Sequence, residues 1–350
     1  MTPHTICATI SDLSIETAER HLGDVLSLAI GHVPARRAVV VWDAGCDLAL
    51  ALSEAYRRCL PGAEFIEFES AQPAPVLAAF ERLVAGDLVV LVQSTSFRLA
   101  AFRIRLELFK RSLKVIEHPH LSRMAGAESL VYIDSLAYDP AYYRGVGGAL
   151  KQRIDRARVG VVDSGGAQLV FDAGFEPAKL NVGDYSSLRD VGGQYPIGEV
   201  FTESRDLEAV NGCVRIAFFG DTAFRVNKPE RPITLVVERG RVIEAQGSTP
   251  EFEQVLAAIR SAEGEVWMRE LGCGMNRAFT RERTVSDIGS FERMCGVHLS
   301  LGAKHASYGK PNIKKKLARH HVDVFVVTEA VLLDGDVVFR EGEWMVGGRG

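Results

Sequence analysis

The residues with the clearest chemical potential lie near the C-terminus. Four of the nine histidines fall between His298 and His321. The segment Gly296-Val297-His298-Leu299-Ser300-Leu301-Gly302 alternates with period two. In a strand, His298 and Ser300 share one face while Val297, Leu299 and Leu301 share the other. In His321-Val322-Asp323-Val324-Phe325-Val326, His321 and Asp323 are two residues apart and point the same way from a strand. An imidazole and a carboxylate about 7 Å apart along a backbone can converge on one ion. The pair has a second reading, a hydrogen-bonded or solvated strand pair, and spacing alone leaves both open.

Other polar features carry less. His118 and His120 flank Pro119 and read as surface histidines on a loop. Lys314-Lys315-Lys316 reads as a solvated helix face. Gly145-Val146-Gly147-Gly148 precedes Ala149-Leu150-Lys151, and a glycine cluster before a helix can cradle phosphate. It lacks the dinucleotide or P-loop spacing and reads as a turn.

Two kinds of element must position these residues. In the first third, Ala38–Trp42, Ala63–Phe68 and Asp87–Val92 are strand-like runs. Between them, Asp47–Arg58 and Val76–Val84 have helical spacing, with Leu48, Leu52 and Tyr56 four apart. Arg98–Arg123 adds a further helix and strand. Apolar strands separated by amphipathic helices indicate a parallel sheet covered on both faces. From Arg158 the strands shorten and glycine-rich turns multiply. Val214–Phe219 is a strand, and Ile233–Val237 turns through Glu238-Arg239-Gly240-Arg241 into a hairpin. Thr249 caps a helix that Pro250 and Glu251 open. Leu333-Asp334-Gly335-Asp336 turns a last hairpin. The expectation is an α/β domain over residues 1–155, a parallel sheet with helices. A mostly antiparallel β domain with few helices follows over 156–350 and carries the metal site.

The bulk numbers fit this. The chain has 350 residues, 47% apolar and 25% charged, which is globular and long enough for two domains. A net charge of -4 gives no sign of a nucleic-acid partner. The start, Met1-Thr2-Pro3-His4-Thr5-Ile6-Cys7, lacks the pattern of a signal peptide. No apolar run approaches the roughly 20 residues of a membrane span. The six cysteines form no C-x-x-C pair and read as reduced thiols. A cytoplasmic location without membrane contact is expected.

Read together, the C-terminal segments have a recognisable order. Pro196-Ile197-Gly198-Glu199-Val200-Phe201-Thr202 comes first, then Glu270 six residues before Asn276 in a glycine-containing stretch read as a loop. The His298 strand and the His321 strand follow. This order resembles the aminopeptidase T family of metallo-aminopeptidases, and Gly166-Ala167-Gln168-Leu169-Val170-Phe171 resembles a further strand of that family. The resemblance covers about Arg153 to Val338. It implies the metal ligands Glu199, Glu270, His298, His321 and Asp323, and a homodimer. Three carboxylates and two imidazoles suit two divalent ions such as zinc, cobalt or manganese. The implied reaction is hydrolysis at the N-terminus of a small peptide or related amide.

The chain departs from the family at His305, where a tyrosine is usual seven residues after the strand histidine, while Tyr308 lies three further on. His305 or Tyr308 would steady the tetrahedral oxyanion. Three roles stay open for His305: oxyanion donor, extra ligand or bystander. A second branch of the fold, the 2,5-dihydroxypyridine dioxygenases, binds one iron with two histidines and a carboxylate and has a histidine where this chain has Glu270. A third reading is a repurposed peptide-binding or peptide-processing member of a biosynthetic pathway.

Overall fold

A computed structural model describes residues 10–68, 73–97, 104–186, 188–314 and 316–347. The N-terminal start with Cys7, the beginning of the Arg98–Arg123 segment and Lys315 lie outside the described residues. The other five cysteines are free thiols. Among the described residues, no helix is long and apolar enough to cross a membrane.

The described chain forms two compact units. The first draws on Met1–Pro140, Gly183–Ile197 and Arg283–Ser290, the second on Ala141–Val182, Gly198–Glu282 and Phe291–Gly350. In the first, strands β1 (Ala38–Trp42), β2 (Glu64–Glu67), β3 (Leu88–Val92) and β4 (Lys114–His118) pair in parallel in the order β2-β1-β3-β4. The β3 run Leu-Val-Val-Leu-Val is buried throughout, as a central parallel strand with covered faces requires. Helices α1 (Asp12–Asp24), α2 (Asp47–Cys59), α3 (Pro73–Glu81), α4 (Ile104–Lys110) and α5 (Ala127–Ser135) accompany the sheet. Val76, Ala79 and Phe80 of α3 and Ile104 and Leu108 of α4 pack with Val39, Val41, Val89 and Leu91. The α/β expectation thus matches the first unit.

His118 corrects the sequence reading. It is not on the surface but fully buried at the end of β4. Its Nε2 lies 2.8 Å from Tyr56 Oη and its Nδ1 2.9 Å from Tyr132 Oη, while the Tyr132 hydroxyl donates to the Tyr195 carbonyl at 3.1 Å. Two tyrosine hydroxyls satisfy a ring that sequence alone assigns to solvent.

The second unit begins with helix α6 (Pro140–Arg156), and here too a reading is corrected. The Gly145–Gly148 cluster is not a turn but lies inside α6. A Cβ on Gly147 would meet Val182 Cγ1 at 2.7 Å, so close packing, not a phosphate, accounts for that glycine.

The rest of the unit is antiparallel. Its strands are β5 (Gly160–Asp163), β6 (Gln168–Phe171), β7 (Lys179–Asn181), β9 (Glu199–Glu203) and β10 (Val210–Gly220). The label β8 belongs to Gly192–Gln194, which joins the edge of the first sheet beside β4. There follow β11 (Val226–Asn227), β12 (Ile233–Glu238), β13 (Arg241–Gln246), β14 (Met268–Gly274), β15 (Gly296–Leu301) and β16 (Val322–Val326). Strands β17 (Ala330–Leu333), β18 (Asp336–Arg340) and β19 (Glu343–Trp344) complete it. The order is β19-β18-β17-β5-β6-β10-β16-β15-β14-β9-β7, with β11, β12 and β13 branching from β10. Helix α7 (Pro250–Glu263) starts as its sequence predicts: Thr249 accepts the Phe252 N–H and Pro250 opens the first turn. Lys314 lies in irregular backbone and Lys316 in a turn, not on a helix face.

Candidate metal centre

Four adjacent strands, β9, β14, β15 and β16, build the site. Register places Glu199 opposite Gly274, Gly272 opposite both Phe201 and His298, and Ser300 opposite Asp323. Paired residues in an antiparallel ladder point to the same side, so Glu199, His298 and Asp323 share a face. Glu270 lies on β14, not in a loop, and its N–H is held by Ser300 Oγ at 3.0 Å. The two glycines that suggest a loop have packing reasons. A Cβ on Gly272 would fall 2.0 Å from His298 Nε2, and one on Gly274 would fall 1.9 Å from the Met294 carbonyl. Gly272 is empty space that the His298 ring occupies.

Glu199, Glu270 and His298 are all buried, and each offers a ligand atom within 4.8 Å of the others. His298 Nε2 is 3.2 Å from Glu199 Oε1 and 3.2 Å from Glu270 Oε1. His321 Nε2 is 3.1 Å from Asp323 Oδ1. His305, whose side chain is 3% exposed, brings Nε2 to 2.8 Å from Glu270 Oε2. Glu270 therefore faces His298 with one oxygen and His305 with the other. Tyr308 is not brought in by its hydroxyl, which donates to the Pro177 carbonyl at 2.8 Å, although its ring lies 5.1 Å from that of His305.

The electrostatics call for positive charge. Burial alone pulls His298 down, but the two carboxylates beside it outweigh burial and raise it well above the ordinary histidine range. Desolvation likewise pulls His321 down, while Asp323 and then Glu270 lift it to about 10. Burial pushes Glu270 up, and its histidine neighbours hold it well below the usual carboxylate range instead.

The donor set fits divalent ions by a local test. His321 Nδ1 lies 3.1 Å from the Lys304 carbonyl, which can only accept, so Nδ1 carries a proton. In a neutral ring the Nε2 lone pair would face Asp323 Oδ1; the pKa of about 10 means that a proton holds that place unless a cation replaces it. Two lone-pair atoms at that distance need a proton or a cation between them. Asp323 Oδ1 and His298 Nδ1 are also buried without an aligned hydrogen-bond partner. An Nδ1–H held by a carbonyl is the usual arrangement of a metal-binding histidine. Carboxylates with imidazoles match zinc, manganese or cobalt chemistry.

Sequence reasoning misses two buried arginines. Arg293 Nη1 lies 2.9 Å from Glu199 Oε2 and also pairs with Glu292. Arg269 forms a buried pair with Glu203 and reaches the carbonyls of Ala303 at 2.5 Å and Tyr308 at 3.0 Å. Their signal, a charged residue inside an apolar strand stretch, is visible for Arg269 beside Met268 and Leu271.

No family model matches the chain, and no curated protein does either. Solved structures do. A 2,5-dihydroxypyridine dioxygenase from Pseudomonas putida KT2440 aligns with a TM-score of 0.63 at 17% identity, over 96% of this chain and 98% of that one. Wild-type AmpT from Thermus thermophilus aligns with a TM-score of 0.57 at 13% identity, over 95% and 99%. These likenesses establish the fold.

Proposed function

We propose that this protein is a metal-dependent hydrolase that cleaves an N-terminal peptide bond or a related small amide, and that it works as a homodimer. One observation carries the reading: the buried Glu199–Glu270–His298 group lies within electrostatic reach of the His321–Asp323 pair, whose histidine Glu270 helps to lift. Glu199, Glu270 and His298 would hold one ion. His321 and Asp323 would hold a second. Divalent ions bound there supply Lewis acidity, acidifying a coordinated water and polarising a carbonyl. The chain's part is to fix geometry on rigid strands and to exclude bulk water from the carboxylates. Water adds to the amide carbon, one of its protons passes through a site carboxylate to the departing nitrogen, and the C–N bond breaks. The likeness to AmpT supports this reading at the level of fold.

A second reading has its own support, the likeness to the dioxygenase. A mononuclear iron(II) centre on His321, Asp323 and a further histidine would leave positions open for oxygen. Three carboxylates at the centre favour hydrolysis over it. Elemental analysis of protein purified without chelator separates the two. About two equivalents of zinc, cobalt or manganese per chain agree with hydrolysis by a metal pair. One equivalent of iron, with oxygen consumed on an aromatic substrate, overturns it. Light scattering that finds a monomer at micromolar concentration overturns the dimer.

A further inference from the structure

The excursion between β15 and β16, residues 302–321, delivers His305 to the centre. It is pinned from several sides. Glu263 at the end of α7 accepts the N–H groups of Ala303 at 2.6 Å, Arg319 at 2.7 Å and His320 at 2.6 Å. Arg269 holds the carbonyls of Ala303 and Tyr308, on either side of His305. Lys310 Nζ reaches Glu176 at 2.5 Å and the Arg205 carbonyl at 3.0 Å. A side chain presented this way is fixed before anything binds.

Its chemistry is fixed as well. The Ser307 N–H lies 3.1 Å from His305 Nδ1. A backbone N–H only donates, so Nδ1 must present its lone pair. A neutral imidazole then keeps its single proton on Nε2. That nitrogen is buried 2.8 Å from Glu270 Oε2, near enough to help lower that carboxyl but not aligned on it, so its proton is not committed to the carboxylate. A metal ligand needs a lone pair on Nε2, which would put a proton on Nδ1 against the Ser307 N–H. A bystander would not be 97% withdrawn from solvent beside a carboxylate of the centre.

We propose that His305 is a preset Nε2–H donor to the substrate oxygen as it gains negative charge, and not a ligand to the ions. Arg269 and Glu263 are positioning residues that act through the loop. The donor makes and breaks no covalent bond; it stabilises charge that develops on oxygen when water adds to the amide carbon. The role in turnover rests on the hydrolase reading, whereas the tautomer and the metal count do not.

The test uses the full-length, metal-loaded protein. Nitrogen-15 histidine NMR of the wild type should show His305 protonated on Nε2 with Nδ1 bare. Metal content of His305→Phe should equal that of the wild type. Turnover of aminoacyl p-nitroanilides by His305→Phe should fall by about 10²–10³-fold, the usual loss for one oxyanion donor, with KM little changed. His305→Tyr should recover most of that loss, since a phenol donates the same hydrogen bond. A metal-bound Nε2 in the wild type, or metal lost from His305→Phe, overturns the proposal in favour of a ligand. Turnover of His305→Phe within about twofold of the wild type, far short of that loss, overturns it in favour of a bystander. Should the wild type hydrolyse no amide, the hydrolase reading fails, and the NMR tautomer with the metal count still decides what His305 is.

Discussion

At the scale of single residues, the centre depends as much on a missing side chain as on those present. Gly272→Ala would put a methyl 2.0 Å from His298 Nε2, on a strand that cannot yield. His298 must leave its place between Glu199 and Glu270. Metal affinity should fall at least as far as the about 10–100-fold typical when a supporting contact is lost. Titration with zinc, together with an unchanged far-ultraviolet circular dichroism spectrum, reads this directly; wild-type affinity in Gly272→Ala would refute the arrangement. Glu270→Ala should lower metal content and abolish turnover, because it removes one of the buried carboxylates that would hold the ions. Unchanged metal stoichiometry would remove Glu270 from the ligands. The types and spacing of His298, His321 and Asp323 were legible because a strand has a strict period of two. Glu270 was legible only as part of a resemblance, and its strand was hidden by Gly272 and Gly274. Those glycines mark close approach by His298 and the Met294 carbonyl, which no local rule distinguishes from a loop.

At the scale of elements, local signals served well where they were strong. The apolar runs of β1 and β3, the Thr249-Pro250 start of α7 and the Asp334-Gly335 turn all read correctly from sequence. Helix α6 did not, because three glycines within four residues imitate a turn while packing at Gly147 keeps them helical. The loop from 302 to 321 gave no signal for its anchorage, since Glu263 closes it from 40 residues away in sequence. That anchorage is testable without reference to activity. Glu263→Ala leaves three backbone N–H groups without their acceptor. Each charge-assisted bond of this kind contributes about 1.5–3 kcal/mol in isolation, and the three are not additive. Hydrogen exchange at Ala303, Arg319 and His320 should accelerate sharply while that of β14 and β15 stays slow. Uniform acceleration across both strands would mean that Glu263 supports the whole sheet and not the loop.

At the scale of the whole molecule, the sequence foretold two kinds of sheet but not their strand order. The edge strand Gly192–Gln194 and the neighbours of β10 are pairings between distant segments, which local periodicity does not encode. The same holds for His118, whose polarity said solvent while its partners, 62 and 14 residues away, said core. Its burial has a consequence for stability. The Tyr132 hydroxyl spends its proton on the Tyr195 carbonyl, so it accepts from His118 Nδ1–H, and Nε2 in turn accepts from the Tyr56 hydroxyl. The hydrogen bonds that link His118 to Tyr56 and Tyr132 are all satisfied only while His118 is neutral. A second proton would face the Tyr56 oxygen and displace that hydroxyl's own donor. Burial pushes the His118 pKa down to about 3, against 6.5 for an unperturbed histidine. The folded state therefore refuses a proton that the unfolded chain accepts. The contribution is complete above pH 6.5, where neither state is protonated, and is lost progressively as the pH falls toward 3. The slope from this residue alone is about 1.4 kcal/mol per pH unit. Carboxylates add their own titration below pH 5, so the comparison must be a difference between proteins. Denaturant unfolding of wild type and His118→Asn between pH 7 and pH 4.5 isolates the histidine. His118→Asn should be less stable at pH 7, having lost packing and hydrogen bonds. Its disadvantage should shrink by about 1.4 kcal/mol for each unit below pH 6. Parallel stability curves for the two proteins would show that His118 titrates alike in both states and is not the buried neutral strut that its geometry describes.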